Sequence, residues 1–243
     1  VLGVTVKLAD GRVLVCGGAD SSGKVTASCE IYDPAQNRWS ATGSMTVARA
    51  AHAGVLLGGG KVLVCGGVQS LSDPLKAITG AHKSAELYDP ATGRWSRTAG
   101  MRKVRIAHTL TATGSRVVAA SGLSFKMVIF IPVPEFTRTA EYYSGGRWSS
   151  TGSMKQGRAA HSAIALKNGK VLVCGGVFST NIIDPNSYKP IAAAELYDPA
   201  TNRWSGLPAM KVARGLPTLV RRPDGTVLVC GGARGSYTNP VGI

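Results

Sequence analysis

Four arginines stand in equivalent places along this chain of 243 residues: Arg49, Arg105, Arg158 and Arg214, each four residues after a methionine (Met45, Met101, Met154, Met210). A guanidinium offers a planar fork of donors that suits carboxylate or phosphate, so a ring of four would bind an acidic peptide or another anion. Four glutamates recur in step with them: Glu30, Glu86, Glu141 and Glu195. A glutamate on a covered strand is costly without a partner, so the same arginines can instead be consumed by internal ion pairs, one per repeat. His52, His108 and His161 follow three of the arginines by three positions, and Pro217 breaks the series. Three such imidazoles can line a channel or core, or hold a metal; no metal or other cofactor is expected.

Other reactive constellations are missing from the sequence. It has no P-loop, HExxH, nucleophile elbow, CxxC or Cys/His cluster at metal-ligand spacing. Four of the five cysteines (Cys16, Cys65, Cys174, Cys230) fill one slot before a Gly-Gly or its equivalent and read as small buried apolar residues. Cys29 takes a slot held by Ala85, Ala140 and Ala194 elsewhere. It falls on a strand next to that of Cys16, where a disulfide is conceivable, but free thiols are expected.

The elements that must position these residues repeat as well. Tryptophans at 39, 95, 148 and 204 step by 56, 53 and 56 residues, as the methionines do. A unit of this length cannot bury its apolar surface alone and must stack on its neighbours. The second unit reads as strand a over 50–57 (AAHAGVLL), strand b over 61–65 (KVLVC), strand c over 84–89 (SAELYD) and a short strand d at 94–96. Glycines after a and b permit positive φ, and Pro90 stops c because it has no N–H to give a ladder. Four short antiparallel strands per unit make a blade of an all-β propeller, with the tyrosine and tryptophan packing between blades. The pattern runs four times and then supplies a and b once more, giving about four and a half blades in a single domain over 1–243.

The quoted stencil resembles the Kelch repeat. Its carriers are VLVCGG at 13–18, 62–67, 171–176 and 227–232, EIYDPAQNRW at 30–39, AELYDPATGRW at 85–95 and AELYDPATNRW at 194–204, with a degenerate third unit (VVAASG at 117–122, AEYYSGGRW at 140–148). The resemblance implies a propeller that closes with six or seven blades, so this array is expected to be part of a larger propeller. The wording is most similar to Kelch arrays of bacterial secreted and surface proteins, which implies an extracellular or cell-surface setting. Kelch substrate adaptors of ubiquitin ligases use arginines in this slot to bind acidic peptides, which would give Arg49, Arg105, Arg158 and Arg214 that role. The related copper radical oxidases carry Arg-x-Tyr-His in strand a; here Ala51, Ala107 and Ala160 stand where the tyrosine would be, so that catalytic reading is not expected.

Function is therefore sought where the copies disagree. The b–c connections are short in the first unit (19–27) and long in the others (68–83, 123–138, 177–192), and length variation on a regular scaffold marks binding loops. The third holds Phe125, Met127, Val128, Ile129, Phe130, Ile131, Val133 and Phe136 among two prolines, and the fourth holds Phe178, Ile182, Ile183 and Tyr188. These apolar loops either offer a protein-contact surface or fold onto one another. The net charge of +15 is concentrated further because seven of 13 acids lie within the repeated stencil. Such a surface favours acidic partners: an acidic protein or peptide, an anionic glycan, or a nucleic acid backbone. No aromatic-interleaved basic groove is present for reading nucleic acid sequence, and no run is long enough for a membrane span. The expectation is a non-catalytic interaction module, or an assembly subunit that docks through terminal blades into an oligomer or larger assembly.

Overall fold

The computed structural model describes residues 2–72, 77, 80–129, 131–181, 184–236 and 239–242. Its regular structure is almost wholly β. The first sheet runs β1 (Val4–Lys7), β2 (Val13–Cys16), β3 (Cys29–Asp33), β4 (Arg38–Thr42), and the second runs β5 (Ala53–Leu56), β6 (Val62–Cys65), β7 (Ala85–Asp89), β8 (Arg94–Thr98). In the third, β9 (Thr109–Thr113) and β10 (Arg116–Ala120) are followed by an inserted hairpin, β11 (Leu123–Val128) with β12 (Ile131–Phe136), before β13 (Ala140–Ser144) and β14 (Arg147–Ser150) complete the order 9-10-13-14. The fourth places β17 (Val177–Phe178) and β18 (Lys189–Pro190) as a short hairpin between β15 (Ser162–Ala165), β16 (Val171–Cys174) and β19 (Ala194–Asp198), β20 (Arg203–Leu207). Two further pairs follow, β21 (Thr218–Arg221) with β22 (Val227–Cys230), and β23 (Ala233–Ser236) with β24 (Asn239–Gly242). The expected a-b-c-d order is thus found four times, each as an antiparallel sheet.

The inserted hairpins were not expected; the segments read as loops. Pro132 and Pro134 lack the N–H that a central strand must donate, yet β12 is tolerated because it pairs on one side only, with β11.

The chain divides into two compact units, Val1–Ile106 with Tyr143–Trp148, and Ala107–Tyr142 with Ser149–Ile243. In the first, Val6, Leu14, Ile31, Val62, Val64 and Tyr88 close around Met45. In the second, Val118, Ala120, Val171, Val173 and Tyr197 close around Met154. The strand sequences alternate or run continuously apolar because their sheets are covered on one face or on both. Tyrosine and tryptophan meet as cross-strand neighbours on c and d, with ring centroids 5.1 Å apart for Tyr88–Trp95 and 5.2 Å for Tyr197–Trp204. The Trp95 indole donates to Gly43 O at 2.8 Å and that of Trp204 to Thr151 Oγ1 at 3.1 Å, each reaching back to the segment that leaves the preceding strand d. These rings hold repeats together, as the pattern predicts.

Candidate functional site

The arginines lie inside the protein. Arg49, Arg105 and Arg158 are each fully buried. Arg49 Nη1 donates to Gly66 O (3.0 Å) and Ser84 O (2.9 Å), and Nη2 donates to Glu86 Oε1 at 2.9 Å. Arg158 repeats this with Gly175 O (3.1 Å), Ala193 O (2.7 Å) and Glu195 Oε1 (2.8 Å). The main-chain carbonyl of each arginine faces the previous repeat: Gly18 N–H donates to Arg49 O at 2.7 Å, Gly67 to Arg105 O at 2.9 Å, Gly122 to Arg158 O at 2.8 Å and Gly176 to Arg214 O at 2.9 Å. Arg49, Arg158 and Arg214 therefore each join two successive turns after strand b, one through the backbone and one through the side chain. The carboxylates are held just as firmly. Burial pushes Glu86 up, but bonds from the Thr46 N–H, the Arg49 guanidinium and the Thr46 hydroxyl outweigh it and keep Glu86 below the usual carboxylate range. Burial moves the Arg158 pKa down, against the pull of Glu195.

Of the two readings open from sequence, these bonds fit the internal pair, and three of the four guanidiniums present no surface to a ligand. Glu30 is exposed. Arg214 is half-buried and donates to Gly231 O at 2.8 Å.

His52, His108 and His161 are buried. Both ring nitrogens of His52 lack a hydrogen-bond partner among the described residues, and burial, then Arg49 and His82, push its pKa down to about 3. His161 Nε2 lies 3.0 Å from Thr109 Oγ1. Among the described residues no group of three or more His, Cys, Asp or Glu could hold a metal ion. All five cysteines are free, with Cys16 and Cys29 opposite each other in the β2–β3 register. Cys230 is exposed, contrary to the expectation for its slot; among the described residues β22 pairs with β21 alone.

The unrepeated loops do converge, within the second unit. Phe136, at the end of β12, packs on Phe178 of β17 at 5.6 Å and on Tyr188 at 5.7 Å between ring centroids. The β11–β12 hairpin is rooted where Thr137 N–H donates to Gly122 O at 3.0 Å and the Ser121 hydroxyl to Thr137 O at 2.6 Å. β17 is anchored by the paired bonds of Val177 with Ala159, next to Arg158. The two insertions enclose a pocket of about 370 Å³. Its walls are Phe136, Phe178, Val133 and Pro134, and its polar groups are Lys126, Glu135 and the Ser179–Asn181 segment. Phe125 is half-buried and stands opposite Pro134 on the hairpin. At the hairpin tip Val128 is 42% and Ile129 86% exposed. An apolar floor with one cation, one carboxylate and an amide can take an apolar group that carries polar atoms beside it. Phe130, Ile182 and Ile183, named from sequence with these loops, lie outside the described residues. The sequence signal for the site was the length and apolarity of the third and fourth b–c connections; the packing of Phe136 on the fourth loop is the folding of these loops onto one another that the sequence left open.

The Kelch motif matches residues 3–46, 49–102 and 158–211. Kelch-like protein 25 of Xenopus tropicalis is 24% identical over 244 residues, covering 81% of this chain and 39% of the relative. Kelch-like protein 15 of Danio rerio is 25% identical, covering 92% and 37%, and beta-scruin of Limulus polyphemus is 25% identical, covering 91% and 24%. The chain thus spans well under half the length of these relatives. Among solved structures, YjhT superposes with a TM-score of 0.74 at 16% identity, over 96% of this chain and 77% of that one. A fungal alcohol oxidase in complex with copper superposes with a TM-score of 0.57 at 18% identity, over 96% and 58%. At these identities the two structures share the fold with this chain.

Proposed function

Since the chain belongs to the Kelch family, we propose that it serves as a non-catalytic interaction module whose contact surface is built by the third and fourth b–c insertions. One observation carries the reading: Leu123–Phe136, a long apolar segment that the other repeats lack, both walls a pocket with Phe178 and holds Val128 and Ile129 out to solvent. Solvent-exposed aliphatics beside an aromatic pocket are what a protein partner buries first. The ligand class is a peptide segment that inserts one apolar side chain against Phe136 and Phe178 while Lys126 meets a carboxylate or carbonyl. A net charge of +15 favours acidic flanks on that peptide. Selection of random peptides on the intact protein tests it. Enriched peptides should lose at least about tenfold in affinity on Phe178→Asp, with an unchanged melting temperature; peptides indifferent to Phe178 and to Ile129→Asp would overturn the assignment.

The alternative, an assembly subunit docking through the edge of the last sheet, is favoured by Leu216, Val220 and Leu228, which stand 69%, 47% and 43% exposed. An oxidase role rests on likeness of fold alone.

A further inference from the structure

Cys16 on β2 and Cys29 on β3 stand directly opposite each other, and both are free. The next rung of the ladder decides what kind of pair they form. Gly17 N–H donates to Ser28 O at 3.0 Å, which makes 17 and 28 a hydrogen-bonded pair. The two kinds of pair alternate between antiparallel strands, so Cys16 and Cys29 form a non-hydrogen-bonded one. Its Cα atoms lie about 4.5 Å apart with both side chains on one face. A disulfide spans Cα separations of about 4.4–6.8 Å. In the second and fourth sheets the same two slots hold Cys65 with Ala85 and Cys174 with Ala194, so there a sulfur faces a methyl group.

The two thiols touch, and the contact makes them unlike. Hydrogen bonding with Cys16 lowers Cys29 below the ordinary thiol value; burial opposes this, and the Met45 N–H and the Trp95 indole reinforce it. The same contact, together with burial, pushes Cys16 up. Cys29 is therefore the sulfur more readily held as thiolate, and Cys16 the one that keeps its proton. Cys16 is 1% and Cys29 3% exposed, enclosed with Val6, Leu14, Ile31 and Met45. Such enclosure excludes a bulky disulfide and selects an oxidant little larger than water.

We propose that Cys16 and Cys29 are a site of reversible oxidation, at which a small hydroperoxide closes a cross-strand disulfide. The Cys29 thiolate attacks one peroxide oxygen and the O–O bond breaks. The sulfur becomes a sulfenic acid, and the other oxygen leaves as hydroxide and takes up a proton. Cys16 then attacks the Cys29 sulfur: the S–S bond forms, the S–O bond breaks, and the Cys16 proton leaves with the oxygen as water. Two thiols and one hydrogen peroxide thus give one disulfide and two waters, the sulfurs losing the two electrons that the peroxide gains. A dithiol reductant reverses the change. The bond would fasten the turn on which the link to the second sheet rests. Met45 N–H donates to Ala27 O at 3.0 Å, Arg49 N–H to Thr26 O at 3.2 Å and Gly18 N–H to Arg49 O at 2.7 Å.

The test treats the intact protein with hydrogen peroxide, alkylates it while denatured, and digests it with trypsin without reduction. Peptides 13–24 and 25–38 should be joined after peroxide, two hydrogens lighter than their sum, and separate again after dithiothreitol. The joined form should melt about 5 °C or more higher, because the bond restricts the unfolded chain. Alanine fills both slots in the third sheet, as Ala120 and Ala140, so single alanine variants suit the fold. In Cys16→Ala, dimedone should trap a sulfenic acid on Cys29; in Cys29→Ala, Cys16 should stay unlabelled at the same dose. No joined pair at a dose that fully oxidises the exposed Cys230, a joined form that melts lower, or dimedone on Cys16 rather than Cys29 would each overturn the proposal.

Discussion

Arg158 shows how a buried charge is made tolerable. Its guanidinium has two carbonyls and one carboxylate, and Glu195 in turn receives two main-chain N–H groups. Removing one partner leaves the other charge buried without compensation. Arg158→Met is therefore expected to cost about 3–5 kcal/mol, read as a lowered denaturation midpoint. The double change with Glu195→Leu should cost less than the single one, since the stranded carboxylate is gone; a double variant worse than the single would refute the pair as the cause. His52 sets a second expectation. Its folded pKa of about 3 lies below the ordinary imidazole value, so the unfolded chain binds more protons and acid favours unfolding. His82, pushed to about 4 by burial and by Arg49, acts in the same sense. This stability is complete above about pH 6.5 and is lost as pH falls toward 4 and 3. His52→Leu should flatten the fall in chemical-denaturation stability between about pH 6.5 and 4; an unchanged slope would mean that His52 does not report on folding.

At the scale of elements, the Gly-Gly turn after strand b is the joint on which each arginine rests. Gly176 has φ +100°, and a Cβ there would come within 2.7 Å of Ala159 O. Gly176→Ala combines that clash with a left-handed backbone and is expected to cost about 3 kcal/mol. Gly58 has open space around it and an ordinary φ, so Gly58→Ala should be nearly silent in the same melting assay. The third copy departs from the rule informatively. Ser121 replaces the first glycine at φ 55°, and its hydroxyl gains bonds to Thr137 O and Arg158 O that help to offset the strain. That substitution was legible in sequence only as degeneracy. The strands were legible because their letters recur; the β11–β12 hairpin was not, because its letters recur nowhere else, its two prolines argue against a strand, and the apolar run 127–133 carries no alternation from which to read a register.

For the whole chain, the excess of 28 basic over 13 acidic residues is a self-repelling charge, set against partly exposed ion pairs such as Lys61–Asp89 at 3.3 Å and Lys170–Asp198 at 2.9 Å. Screening should relieve more repulsion than it removes attraction. The melting temperature at pH 7 is expected to rise between about 10 and 150 mM NaCl, over which the Debye length shrinks from about 30 to about 8 Å. A fall instead would mean that attractive pairs dominate. The repeat, read as letters, was enough for the order of strands, the turns and the packing role of tyrosine and tryptophan, because these depend on neighbours a fixed number of residues away. It was not enough for burial. The four identical VLVC strands are half-covered in β2, nearly or wholly enclosed in β6 and β16, and open in β22. Two arginines in the same slot, Arg158 and Arg214, likewise differ, one enclosed with its glutamate and the other reaching a single carbonyl. What covers a strand lies on other strands distant in sequence, so tertiary structure alone decides how deeply each copy is buried.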